Sequence, residues 1–173
     1  MLSFLGKKTA CLSLMLVCAI ILSGCTAVYV IFSQFETKIP QESVHALCGL
    51  DITESTIIFH ENSHGGFLGD GALTVAFDCS QISDSVTEQI KQWNNMPLSH
   101  NLQKIMYDNS GYNLAEKNQI PKISSGYYYF TDRHSESNNP FSDTDLFNRS
   151  SYNFSLLIYD SDSYTLYFFE FDT

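Results

Sequence analysis

Positive charge is scarce in this chain. Nine Lys and Arg stand against nineteen Asp and Glu in 173 residues, a formal net charge of −10. Lys7 and Lys8 are the only charged residues before Glu36, so residues 36–173 hold seven cations against nineteen acids, a formal −12. A surface of that sign repels nucleic-acid phosphates and excludes a nucleic-acid partner. It repels anionic lipid headgroups as well, which leaves a cationic partner, calcium or plain solubility as readings of the acidity. Disorder over the whole chain is excluded by its 44% hydrophobic and 14% aromatic content. The length fits one domain plus an anchor and is too short for two ordinary domains.

Complete catalytic signatures are also missing. His64-Gly65-Gly66-Phe67 has the look of an oxyanion loop, but no Gly-x-Ser-x-Gly elbow accompanies it. No Gly-Lys-Ser/Thr follows the glycines, so the loop is not a phosphate cradle of the Walker type. Asp143-Thr144-Asp145 and Asp160-Ser161-Asp162 offer calcium-friendly oxygens without the rest of an EF-hand loop. No Cys-x-x-Cys pair is present, which disfavours thioredoxin-like chemistry. Cys48 and Cys79 form a possible disulfide closing about 30 residues, worth about 3–4 kcal/mol if unstrained; the alternative is two small buried hydrophobes.

Charge is absent altogether from residues 9–35. Cys11 to Phe32 is a run of 22 mostly apolar residues, about 33 Å as a helix, which matches a hydrocarbon core. Lys7 and Lys8 precede it, so the positive-inside rule places residues 36–173 outside the cytoplasm. Leu22-Ser23-Gly24-Cys25 resembles a bacterial lipobox, with Cys25 as the lipidation site if the segment is processed. Both readings make residues 1–35 a membrane anchor or lipoprotein signal, 36–49 a tether and 50–173 an extracytoplasmic domain at the cell membrane.

Within that domain, residues 55–60 and 73–77 read as strands around a glycine-rich connection, with four glycines between positions 65 and 71. Ser85-Val86-Thr87-Glu88 is a capping box ahead of a helix carrying Val86, Ile90 and Trp93. Ser99 caps a second helix with Leu102, Ile105 and Met106 on one face. Residues 108–122 read as loop, 126–130 as a strand, and 133–151 as a mobile excursion. Residues 153–159 and 164–171 form a hairpin apolar on both faces, hence central in its sheet, with a helix on one side and a tether, partner or membrane on the other. The class is α+β: one antiparallel sheet of about five strands packed by one or two helices.

The chemistry-bearing residues gather near the glycine loop and the end of the third strand: His60, His64, Gly65, Gly66 and Asp70, with Asp132 and His134 beyond. If they converge, they form a ligand site or a metal or acid/base site. If not, the glycines serve turn geometry and His64 and Asp70 cap loop amides. Tyr127, Tyr128 and Tyr129 line a ligand surface or form ordinary cross-strand pairs.

The series His64-Gly65-Gly66-Phe67-Leu68-Gly69-Asp70-Gly71, Trp93 with Pro97, Gly126-Tyr127-Tyr128-Tyr129-Phe130 with Asp132-Arg133, Tyr159-Asp160 and Asp172-Thr173 resembles an uncharacterised family of small membrane-anchored proteins and lipoproteins of Gram-positive, clostridial-type bacteria. The resemblance covers residues 50–173. It implies envelope placement and a single domain, and carries no activity, cofactor or catalytic residue. Three functions are expected to compete. The first is a non-enzymatic binding or structural module of the cell envelope, without a cofactor. The second is a small metal-dependent hydrolase using His60, His64, Asp70 and His134. The third is an inhibitor or immunity-type protein with a cationic partner.

Overall fold

The C-terminal hairpin organises the fold. In the computed structural model, which describes residues 40–65, 69–109 and 111–173, strands β5 (Asn153–Asp160) and β6 (Thr165–Asp172) are the middle pair of one antiparallel sheet. The other strands are β1 (Thr56–Asn62), β2 (Gly71–Asp78), β3 (Asn94–Asn95) and β4 (Gly126–Asp132). The order across the sheet is β1-β2-β6-β5-β4-β3. The expected sheet is therefore present with a sixth, two-residue strand, in which Asn94 and Asn95 pair with Tyr128 and Tyr127.

Strands apolar on both faces must be covered on both faces, and they are. On one face Val75, Phe77, Leu157, Tyr159, Leu166 and Phe168 are buried. They pack with Val44 of helix α1 (Pro40–Cys48) and with Val86, Ile90 and Trp93 from and after helix α2 (Ser83–Gln89). On the other face Phe130, Phe154, Leu156, Ile158 and Phe169 meet Leu102, Ile105 and Met106 of helix α3 (His100–Tyr107) and Leu114 and Ala115 of helix α4 (Leu114–Lys117). The α+β class expected from the sequence is present, with helices covering both faces of the sheet.

Three local expectations also change. The tether expected over 36–49 is helical from Pro40, and Val44 is fully buried, so the compact unit spans residues 39–173. Pro40 opens α1, where its missing N–H costs no helical bond, and Gly49 closes it at φ 77°, its N–H bonding the His45 carbonyl at 2.7 Å. Ser85 does not cap α2, which begins at Ser83 without a side-chain cap; Ser99 does cap α3, accepting from the Leu102 N–H at 3.2 Å. The excursion over 133–151 is pinned by Leu146, fully buried in the α3 layer, and by the Asp132 N–H bonded to the Pro140 carbonyl.

Cys48 and Cys79 are free thiols. Cys48 Sγ turns back along α1 to donate to the Val44 carbonyl at 3.2 Å, while Cys79 is fully buried and burial pushes its thiol up to about 11. In place of the disulfide stand one half-buried thiol, Cys48, and one buried thiol, Cys79. No helix among the described residues is long and apolar enough to cross a membrane. The anchor expected over 1–35, with Lys7, Lys8 and Cys25, lies outside the described residues, as does Gly66.

Candidate functional site

Sheet register builds the polar end of the fold. Gly71 of β2 stands opposite Asp172 of β6, and Asp172 opposite Asn153 of β5. The Arg133 N–H, just beyond β4, bonds the Asn153 carbonyl at 2.7 Å, extending the same row. Opposite residues of antiparallel strands share a face, so this row brings together side chains up to 108 positions apart.

His64 enters the row from the glycine loop. Its Nε2 lies 2.9 Å from Asp172 Oδ2 and its Nδ1 lies 2.9 Å from Asn62 Oδ1. The His64 backbone N–H also donates to Asn62 Oδ1 at 2.9 Å, which fixes that atom as an acceptor. Both ring nitrogens thus face oxygens, and both bonds are made together only when the ring carries two protons. Gly71 makes this approach possible: at φ 151°, a Cβ there would sit 2.5 Å from His64 Cα.

Arg133 closes the network. Its Nη2 lies 3.0 and 3.1 Å from the two Asp172 oxygens and donates to the Phe154 carbonyl at 3.2 Å. Its Nε lies 3.9 Å from Glu170 Oε1, which accepts from the Ser155 hydroxyl at 3.0 Å. Side-chain exposures of 22% to 33% for His64, Asp172, Glu170 and Arg133 leave the cluster partly wet, so each pair contributes about 1 kcal/mol or less.

Asp132 and His134 belong to a second cluster. Asp132 lies on the opposite sheet face from Arg133 by strand alternation. Its carboxylate accepts from Arg149 Nη2 at 2.6 Å and from the His134 N–H at 3.2 Å. The side chains of this ion pair are 2% and 6% exposed. His134 Nδ1 accepts from the Glu136 N–H at 3.2 Å, so its Nε2 carries the proton given to Ser151 Oγ at 2.9 Å.

The nominated residues therefore do not converge. His64 joins one cluster, and Asp132 and His134 the other. His60 is exposed on β1, and Asp70 is exposed with its carbonyl accepting from the Gly65 N–H at 3.2 Å. Among the described residues, no three His, Cys, Asp or Glu side chains are arranged to hold a metal ion. A set of His60, His64, Asp70 and His134 acting on one metal is thus corrected to four separate positions.

His64 and Asp172 have the outline of half a catalytic triad, but the geometry points elsewhere. A general base needs one ring nitrogen turned to a hydroxyl or thiol. The second nitrogen of His64 faces the Asn62 oxygen, and Asp172 is already neutralised by Arg133. Several concavities among the described residues lie away from this pair. One is an open cleft of about 480 Å³ lined by His100, Gln103, Lys104, Tyr107, Asp108 and Lys122. Another, of about 240 Å³, opens beside Arg149 and Glu136.

No family model, curated protein or solved structure matches the chain. The residues that sequence reasoning missed are Asn62, Arg149, Ser155, Glu170 and Asp172 as partners, and Arg133 as the hub. One signal was available: Arg133 and Arg149 are the only arginines in the chain, and the fold commits both to carboxylates at strand ends.

Proposed function

We propose that residues 40–173 are a non-enzymatic binding module, held on the outer side of a membrane by the N-terminal apolar segment. The observation that carries the binding half is the closed His64–Asp172–Arg133 network. His64, Asp172 and Arg133 satisfy one another and so set the shape of that end of the sheet, with no hydroxyl or thiol among the described residues turned to the imidazole. The placement half is supported by the uncharged run over residues 9–35 behind Lys7 and Lys8.

A second reading, an inhibitor or immunity-type protein for a cationic partner, is favoured by the formal −12 of residues 36–173. The test of placement uses the full chain in cells. Recovery with membranes, together with digestion of the domain by protease added to wall-stripped cells, is the expected result. A freely soluble protein in the cell interior, or a domain protected from external protease, would refute the reading.

A further inference from the structure

Strand β1 forms one edge of the sheet, and among the described residues no strand lies beyond it. Six of its seven residues are exposed. Ile57 and Ile58 are 39% and 57% exposed, and among the described residues no other Ile or Leu is an exposed large hydrophobic. Edge strands are commonly blunted by Lys, Pro or a covering element. Thr56-Ile57-Ile58-Phe59-His60-Glu61-Asn62 contains neither Lys nor Pro, and its one irregularity is a register shift between Ile57 and Phe59.

The backbone pattern says which groups are free to pair. The Ser63 N–H bonds the Ala72 carbonyl at 2.8 Å. Bond direction alternates along an antiparallel strand, so the amides of Glu61 and Phe59 face β2 while those of Asn62 and His60 face outward. Carboxylates flank both ends of this edge. Glu61 lies in the strand, Asp70 lies in the loop that follows it, Glu54 lies just ahead of it, and Asp78 stands opposite Thr56. The Glu61 carboxylate accepts from the neutral Gln119 amide at 3.0 Å and is paired with no cation among the described residues.

We propose that β1 is the docking edge for an extended segment of a cationic partner protein, which adds to the sheet as a further strand. The inference rests on the binding-module reading and names its partner class. The added strand would bond the outward groups of His60 and Asn62, cover Ile57 and Ile58 with apolar side chains, and set Lys or Arg beside Glu54 and Glu61. A second copy of this chain suits the edge poorly, because it would bring one formal −12 domain against another.

The test uses the full chain in non-ionic detergent and synthetic peptides of about eight residues, an ordinary strand length. One peptide alternates Val with Lys, and a control alternates Val with Glu. The lysine peptide is expected to bind at low salt, to slow amide exchange at His60 and Asn62, and to weaken about tenfold as ionic strength rises about tenfold. The glutamate peptide is expected not to bind. His60→Pro removes an outward amide, which an edge strand tolerates, and Ile58→Lys places a like charge against the probe at an exposed position. Each is expected to weaken binding about tenfold or more while leaving the near-ultraviolet circular dichroism unchanged.

No binding at low salt would overturn the proposal, as would equal binding of both peptides. Dimers that dissociate on His60→Pro would assign the edge to a second copy and overturn it too. Binding that survives both variants without protecting His60 and Asn62 would overturn β1 as the site and leave the binding module standing. Failure of the membrane placement appears in the protease assay instead.

Discussion

Removing Arg149 gives the sharpest test of how this fold holds its charges. Asp132 and Arg149 form an ion pair 2.6 Å long whose side chains are 2% and 6% exposed. Arg149→Met keeps most of the stem and deletes the guanidinium. The Asp132 carboxylate is then left inside the protein with the His134 N–H, at 3.2 Å, as its remaining recorded donor. Breaking a buried pair by deleting one partner costs about 3–5 kcal/mol, since the survivor stays desolvated and uncompensated. That is a large share of the roughly 5–15 kcal/mol that holds a domain together. The assay is urea unfolding followed by tryptophan fluorescence, with Trp93 as the reporter. The expected result is a midpoint shifted by that free energy at unchanged slope, together with a melting temperature lower by about 10 °C or more. Adding Asp132→Asn removes the stranded charge, so the double variant is expected to recover at least half of the loss. A loss below about 1 kcal/mol for Arg149→Met, or no recovery in the double variant, would refute the account of a dry, mutually dependent pair.

Gly71→Ala places a Cβ 2.5 Å from His64 Cα at φ 151°, so a loss of about 2–4 kcal/mol is expected by chemical denaturation, with displaced imidazole resonances for His64; an unshifted spectrum would count against the tight approach. Ser99→Ala deletes the oxygen that receives the Leu102 N–H and is expected to cost about 1 kcal/mol, read as a lower urea midpoint. Cys79 ionises at about 11 in the native state against 9.0 for an unhindered thiol. The unfolded chain therefore loses this proton first, and stability that is complete below pH 9 declines as pH rises towards 11. Thiol-specific labelling at pH 8 is expected to reach Cys79 only in denaturant; rapid native labelling would contradict its burial.

Some of this architecture was legible in the residues alone. Two adjacent runs apolar on both faces, joined by Asp160-Ser161-Asp162-Ser163, could only be interior strands, and β5 and β6 are the central pair. Ser99 ahead of Leu102, Ile105 and Met106 announced a capped helix, and α3 begins one residue later. The failures share a physical cause, the dependence of local structure on distant partners. Asn94-Asn95 has no strand pattern of its own and is extended because β4 offers it an edge. Residues 133–151 look unstructured because their polar composition hides Leu146 and Arg149, whose partners lie elsewhere in the chain. The site failed for the same reason. Asp172 is an ordinary strand-end carboxylate until the register places it between Gly71 and Asn153. Proximity in sequence to the glycine loop nominated His60 and Asp70, whereas position across the sheet selected Arg133 and Asp172.

The strand order also fixes when the molecule can assemble. β2 pairs with β6, whose residues lie about ninety positions later. The amino-terminal hairpin of β1 and β2 therefore remains a separate ribbon until the final strand arrives and slots between β2 and β5. A nascent chain emerging from a ribosome or a translocation pore would stay open and vulnerable through most of its length, then close in one late cooperative event.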